Sequence, residues 1–133
     1  MKRHSLLINE SGSDSFRLVL DGNYIIGRIK HRCIKKAIAF DQTPTLIIFN
    51  QAKYLSAIHC VLYRDEIGYQ LIDGWGQYKS ANGIFVNGRR VEYACLKHGD
   101  EIILGNEQII LLYESERDFS QFEEETLSKI REV

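Results

Sequence analysis

The stretch Ser80-Ala81-Asn82-Gly83-Ile84-Phe85-Val86-Asn87-Gly88 sets an Asn-Gly pair on either side of a short apolar run. Asn-Gly is the strongest short-range turn signal, because both residues tolerate a positive φ that most side chains resist. The pattern predicts a short strand pinned between two tight turns. Val86 to Val91 reads as a hairpin around the second of them.

Outward from this stretch the same grammar repeats. Leu6-Leu7-Ile8, Phe16 to Leu20 and Tyr24-Ile25-Ile26 are β-like runs, with Asp21-Gly22-Asn23 reading as a hairpin turn in an opening meander. Leu46-Ile47-Ile48-Phe49 reads as a buried strand, and Ile58 to Arg64 pairs with Gly68 to Asp73 through Asp65-Glu66-Ile67. Downstream, His98-Gly99-Asp100 and Gly105-Asn106 turn the chain into Glu101 to Leu104 and Gln108 to Tyr113. Short strands, frequent turns and no βαβ alternation predict an all-β fold, an antiparallel β-sandwich of about ten to eleven strands.

Two segments depart from this grammar. Residues 29 to 44 form a long connection that holds the only proline, Pro44, and admits a helical turn around Cys33 to Ala39. In the tail, Phe119, Phe122, Leu127 and Ile130 recur near helical spacing, and Ser120-Gln121-Phe122-Glu123 fits a capping box. The expected organisation is a β-sandwich domain over 1–115 and a short C-terminal helix in a tail over 116–133.

The chain has 133 residues, within the range of one domain, and a formal net charge of -1. That balance gives no general attraction to nucleic acid. Charge is segregated, however: Lys30, His31, Arg32, Lys35 and Lys36 cluster in the long connection, while Glu123, Glu124 and Glu125 lie in the tail. An anionic ligand is expected near the first cluster. Cys33, Cys60 and Cys95 are odd in number and form no C-x-x-C pair, so neither a disulfide framework nor a zinc ribbon is expected. The apolar run after the basic N-terminus is too short for a signal peptide or a membrane span. A soluble, cytoplasmic protein without cofactor, metal or membrane insertion is the expectation.

Gly27-Arg28, then Ser56-Ala57-Ile58-His59, then the Asn82-Gly83 stretch, then Leu96-Lys97-His98-Gly99-Asp100-Glu101-Ile102 follow one another, each beside a β-like run. In that order, over most of residues 16 to 113, they resemble the forkhead-associated (FHA) domain family, whose members read phosphothreonine in partner proteins. The resemblance implies that Arg28 and Ser56 contact the phosphate, with Ala57 and Ala81 at neighbouring contact positions, and that Asn82 holds the peptide main chain. It assigns His59, Gly27, Gly83, Asn87 and Gly88 to bracing the binding loops. It further implies a partner carrying phosphothreonine, such as a Ser/Thr kinase or its substrate.

The chemistry of those residue types agrees with that role. A phosphate monoester carries nearly two negative charges and offers three acceptor oxygens, so its reader needs a cation with oriented donors. Arg28 offers a bidentate fork, Ser56 a hydroxyl, and loop N–H groups can add more. Lys30, Arg32, Lys35 and Lys36 are expected to contribute electrostatically. The asparagine amide both donates and accepts, which suits gripping a peptide backbone.

The chain also departs from the family pattern. Ala57 stands where a polar residue is common, Ala81 where a threonine often helps hold phosphate, and Ile84 where threonine usually follows Asn-Gly. Loss of those donors leaves open an alternative, an FHA fold whose degenerate pocket binds its partner independently of phosphate.

An enzyme is not expected. Ser56 and His59 as nucleophile and base lack an acidic orienter and a Gly-x-Ser-x-Gly elbow. Gly74-Trp75-Gly76 lacks the third glycine and helix of a nucleotide fingerprint. A single-strand nucleic-acid binder built on Tyr78, Phe85 and the basic connection conflicts with the near-neutral charge.

Overall fold

The computed structural model of the protein describes residues 3–11, 14–28, 45–49, 52–75, 79–106 and 109–116. Eleven strands lie within them: β1 Arg3–Glu10, β2 Phe16–Val19, β3 Tyr24–Gly27, β4 Thr45–Ile48, β5 Cys60–Arg64, β6 Tyr69–Asp73, β7 Ile84–Val86, β8 Arg89–Val91, β9 Tyr93–Cys95, β10 Glu101–Leu104 and β11 Ile109–Glu116. They form a six-stranded sheet ordered β2-β1-β11-β10-β7-β8 and a five-stranded sheet ordered β4-β3-β5-β6-β9. The all-β sandwich read from the sequence is therefore present.

Alternation along the strands builds the core. Leu6, Ile8, Ile84, Ile102, Leu104, Leu111 and Tyr113 from the first sheet meet Tyr24, Ile26, Cys60, Leu62, Tyr69 and Leu71 from the second, all buried in one cluster. Truncating a buried leucine or isoleucine here to alanine is expected to cost about 2–5 kcal/mol. The outer face of the five-stranded sheet is also apolar. Leu46, Ile25, Val61, Ile72 and Tyr93 stand in one cross-strand row.

That second apolar row explains where the opening meander fails. Ile25 is buried on the outer face while Tyr24 and Ile26 are buried on the inner one, so β3 needs neighbours on both sides and a covered outer face. It lies between β4 and β5, whereas β2, largely exposed, is an edge strand against β1. The Asp21-Gly22-Asn23 turn accordingly passes the chain from one sheet to the other and closes no hairpin.

A second correction concerns direction. β3 and β4 run parallel, with Tyr24 opposite Thr45 and Gly27 opposite Ile48, in an otherwise antiparallel set of pairings. A parallel pair cannot be closed by a tight turn, and this is why a long connection separates Gly27 from Thr45. The basic residues Lys30, Arg32, Lys35 and Lys36, the helical turn around Cys33 to Ala39, and the C-terminal helix all lie outside the described residues.

The β7–β8 hairpin follows its Asn-Gly signal. Asn87 and Gly88 take φ of 52° and 83°, the left-handed pair of a tight hairpin turn. Asn87 also donates from Nδ2 to Asp100 Oδ1 at 2.9 Å and accepts the Glu101 N–H at 3.0 Å, which ties the hairpin to the strand beside it.

Candidate functional site

The registers align the end of β3, the start of β5 and the end of β6 in one sheet, and the start of β7, the end of β10 and the end of β1 in the other, and the His59–Gly83 bond brings these two sets together at one end of the sandwich. There the described parts of the β3–β4, β4–β5, β6–β7 and β10–β11 connections converge. Arg28, Ser56, Ala57, His59, Ala81, Asn82 and Gly83 are all on them. Asn87 and Gly88 are at the opposite end of β7, a strand length away.

Gly27 sets how closely the first two connections approach. A Cβ at this position would lie 2.8 Å from both the His59 nitrogen and the Ser56 carbonyl oxygen, and closer still to the Ala57 oxygen. Only a residue without a side chain lets the β4–β5 loop close on β3. The next residue, Arg28, donates its backbone N–H to the Ser56 oxygen at 3.1 Å. Its side chain is half-buried, and its Nε is buried without a hydrogen-bond partner among the described residues. A buried donor left in that state costs about 1–3 kcal/mol, and an anion bound there would remove the cost.

His59 sits wholly buried between the loops. Its Nδ1 accepts the Ser56 N–H at 3.1 Å, and its Nε2 lies 2.7 Å from the Gly83 carbonyl oxygen. A carbonyl only accepts, so Nε2 carries the proton and the ring is neutral. Burial lowers its pKa, against the opposing effects of the Gly83 bond and the Asp73 charge. One ring thus joins the β4–β5 loop to the β6–β7 loop.

Two further links run through Asp73 and Ser80, side chains that the sequence reading did not single out as site residues, and a third through Ser56, which it did. Buried Asp73 accepts the Ser80 N–H at 3.1 Å, and the Ser80 hydroxyl accepts the Gly83 N–H at 3.0 Å. Gly83 has a φ of +84°, and its carbonyl also accepts the Gly105 N–H at 3.0 Å. Ser56 Oγ accepts the Ala81 N–H at 2.9 Å, which leaves the hydroxyl proton free to donate outward.

Asn82 is exposed and donates from Nδ2 to the Tyr54 carbonyl at 2.6 Å. Its oxygen and its second amide hydrogen face no other described partner. Against Gly83 lies the Arg90 guanidinium, with Nε 2.6 Å from where a Cβ would stand. Arg90 therefore adds a cation at the same rim. Ile84, by contrast, is fully buried in the core, and so it is a packing residue that could contribute nothing to a ligand.

Of the residues that sequence reasoning missed, Tyr54 carried a faint signal and Arg90 none. Tyr54 and Ser56 flank the buried Leu55, so an inward Leu55 leaves its two neighbours for the surface. Arg90 owes its place to the β7–β8 pairing, which sets it opposite Phe85 and could not be assigned before the register was known. Among the described residues no three His, Cys, Asp or Glu side chains gather as a metal site. No described helix is long and apolar enough to cross a membrane.

The sequence model of the FHA domain matches residues 24–105, which includes every one of these loop residues. The chain belongs to the FHA family. Among solved structures, this FHA domain is similar to the Slr1951 protein from Synechocystis sp., at 28% identity and a TM-score of 0.66, covering 89% of this chain and 100% of that one. An FHA domain solved in an analysis of phosphothreonine-dependent FHA interactions matches at 21% identity and a TM-score of 0.57, covering 84% of this chain and 95% of that one. The FhaA FHA domain, solved in complex with the intracellular domain of Rv3910, matches at 22% identity and a TM-score of 0.56, covering 84% and 99%. The last two show the shared fold. A comparison with curated protein sequences gives no match.

Proposed function

We propose that this FHA domain reads phosphothreonine in a partner protein and catalyses no reaction. The observation that carries the reading is the Arg28–Ser56 pair. Their backbones are bonded to each other, the Arg28 Nε is a buried donor with no described partner, and the Ser56 hydroxyl has a proton to give. A dianionic phosphate supplies the charge and the acceptors that both groups lack. Asn82, anchored on Tyr54 but with an oxygen and an amide hydrogen unused, grips the peptide main chain.

The two alanines, Ala57 and Ala81, bring only backbone to this surface. Fewer side-chain donors mean modest affinity, which the Arg90 charge at the rim partly offsets. The partner is a Ser/Thr kinase or one of its substrates, met in the cytoplasm. Fold likeness to structures of phosphothreonine-dependent and protein-bound FHA domains supports the reading.

Capture from a phosphopeptide library by wild-type and Arg28→Ala protein tests it. Enrichment of phosphothreonine peptides by the wild type alone is expected. Equal capture of unphosphorylated sequences by both proteins would favour a phosphate-independent contact surface.

A further inference from the structure

We propose that Tyr54 and Glu10 form a subsite that takes a lysine or arginine side chain of the bound peptide, close to its phosphothreonine. The inference rests on the phosphothreonine reading above and adds to it the chemistry of the flanking sequence.

Tyr54 is placed beside the peptide grip by two contacts. Its carbonyl receives the Asn82 amide at 2.6 Å, and its ring lies over Gly105, where a Cβ would stand 2.9 Å from the ring's Cδ2 and 3.6 Å from the Asn82 Cβ. Ring, glycine and asparagine are therefore immediate neighbours across the β4–β5, β6–β7 and β10–β11 connections. Gly105 is the residue that makes room, since any side chain there would push the ring away. One side of Tyr54 packs on the core while the residue as a whole stays half-exposed, so an aromatic surface is open next to the peptide path.

Glu10 supplies the charge. It ends β1 at this same end of the sandwich, opposite Ile109 at the start of β11, and is half-exposed. Among the described residues no cation pairs with it. Burial first, and the Glu10 charge second, hold the Tyr54 phenol above the usual range.

An aromatic face beside a carboxylate that has no cation partner among the described residues attracts a cation on a long apolar stem. The ring quadrupole and the carboxylate both favour the charged head, and the stem covers the ring. A glutamate of the peptide would meet like charge here, and a methionine would gain the ring contact only. The two halves of the surface therefore differ in sign: Arg28 and Ser56 take the phosphate, and Tyr54 with Glu10 takes a basic neighbour.

The test is a titration of phosphothreonine peptides that share one core and carry Lys, Met or Glu at single positions from three before to three after the phosphothreonine. Wild type, Glu10→Gln, Tyr54→Leu and Tyr54→Phe proteins are compared. At one position the wild type should bind the Lys peptide about three- to tenfold more tightly than the Met peptide, with a ratio that shrinks as salt rises. Glu10→Gln and Tyr54→Leu should each bring that ratio close to one, and Tyr54→Phe should keep it. Phosphate-dependent binding with no Lys preference at any position overturns the subsite and leaves the phosphothreonine reading standing, as does a preference that persists in both Glu10→Gln and Tyr54→Leu. Binding that ignores the phosphate overturns both.

Discussion

His59 Nδ1 accepts the backbone N–H of Ser56, three residues before it, at 3.1 Å, while the other ring nitrogen points its proton at the Gly83 carbonyl. Neither nitrogen is then available to take a proton from the Ser56 hydroxyl, as a nucleophile–base pair requires. The Ser-x-x-His spacing reads as architecture: the ring fixes where the serine stands, and the serine faces the surface.

His59→Ala should therefore cost stability. The ring is fully buried and its removal leaves the Ser56 N–H without its partner, a loss of about 1–3 kcal/mol. Chemical denaturation should show a lower midpoint at unchanged slope. Full stability combined with lost affinity would instead put the ring in direct contact with ligand.

The same histidine makes stability pH-dependent. Burial holds its folded pKa below the unfolded value of about 6.5, so the unfolded state binds the proton more readily. Its contribution is complete above that value and is lost progressively as pH falls from about 6.5 toward the folded pKa. Denaturation midpoints measured between neutral pH and about pH 5 should decline in the wild type and decline less in His59→Gln. An equal decline in both would assign the effect to other groups.

Gly27→Ala tests the close approach of the β4–β5 loop. The added methyl meets backbone atoms of Ser56, Ala57 and His59, which cannot swing aside as a side chain could. Overpacking of this kind costs about 1–3 kcal/mol. Because relief comes only by moving the loop that carries Ser56, both the denaturation midpoint and phosphopeptide affinity should fall. Unchanged affinity in a folded variant would separate the loop's position from binding.

Much of this fold was legible because its signals are local. Asn87-Gly88 named its own turn, and the apolar runs now seen in β1, β5, β6 and β11 marked those stretches as strands. What stayed hidden depends on pairing. Nothing local says that β3 takes a parallel neighbour, and β9, only Tyr93–Cys95, is too short to show a period. The loop residues Arg28, Ser56 and Asn82 were legible from type and order, and the structure gathers them at one end. Tyr54, Arg90 and the Asp73–Ser80–Gly83 chain were not, since each acquires its place from a register or a backbone bond between distant segments.

Arg90→Ala should weaken phosphopeptide binding about two- to fivefold at low salt, the scale of one exposed charge, and the difference should vanish as salt rises. The cation lies against Gly83 at the rim and does not share the buried setting of Arg28. A loss as large as that of Arg28→Ala, or one indifferent to salt, would mean direct contact with the phosphate.

The central claim, that Arg28 and Ser56 bind a phosphate on threonine, is met most directly by calorimetric titration of one captured peptide in phosphorylated and unphosphorylated form. The phosphorylated peptide should bind well above the unphosphorylated one, and Arg28→Ala should weaken it about ten- to a hundredfold, the worth of one charge-assisted hydrogen bond. Affinity should also drop as pH falls through about 6, where the phosphate loses its second charge. Equal binding of both peptide forms, untouched by Arg28→Ala, would contradict the claim.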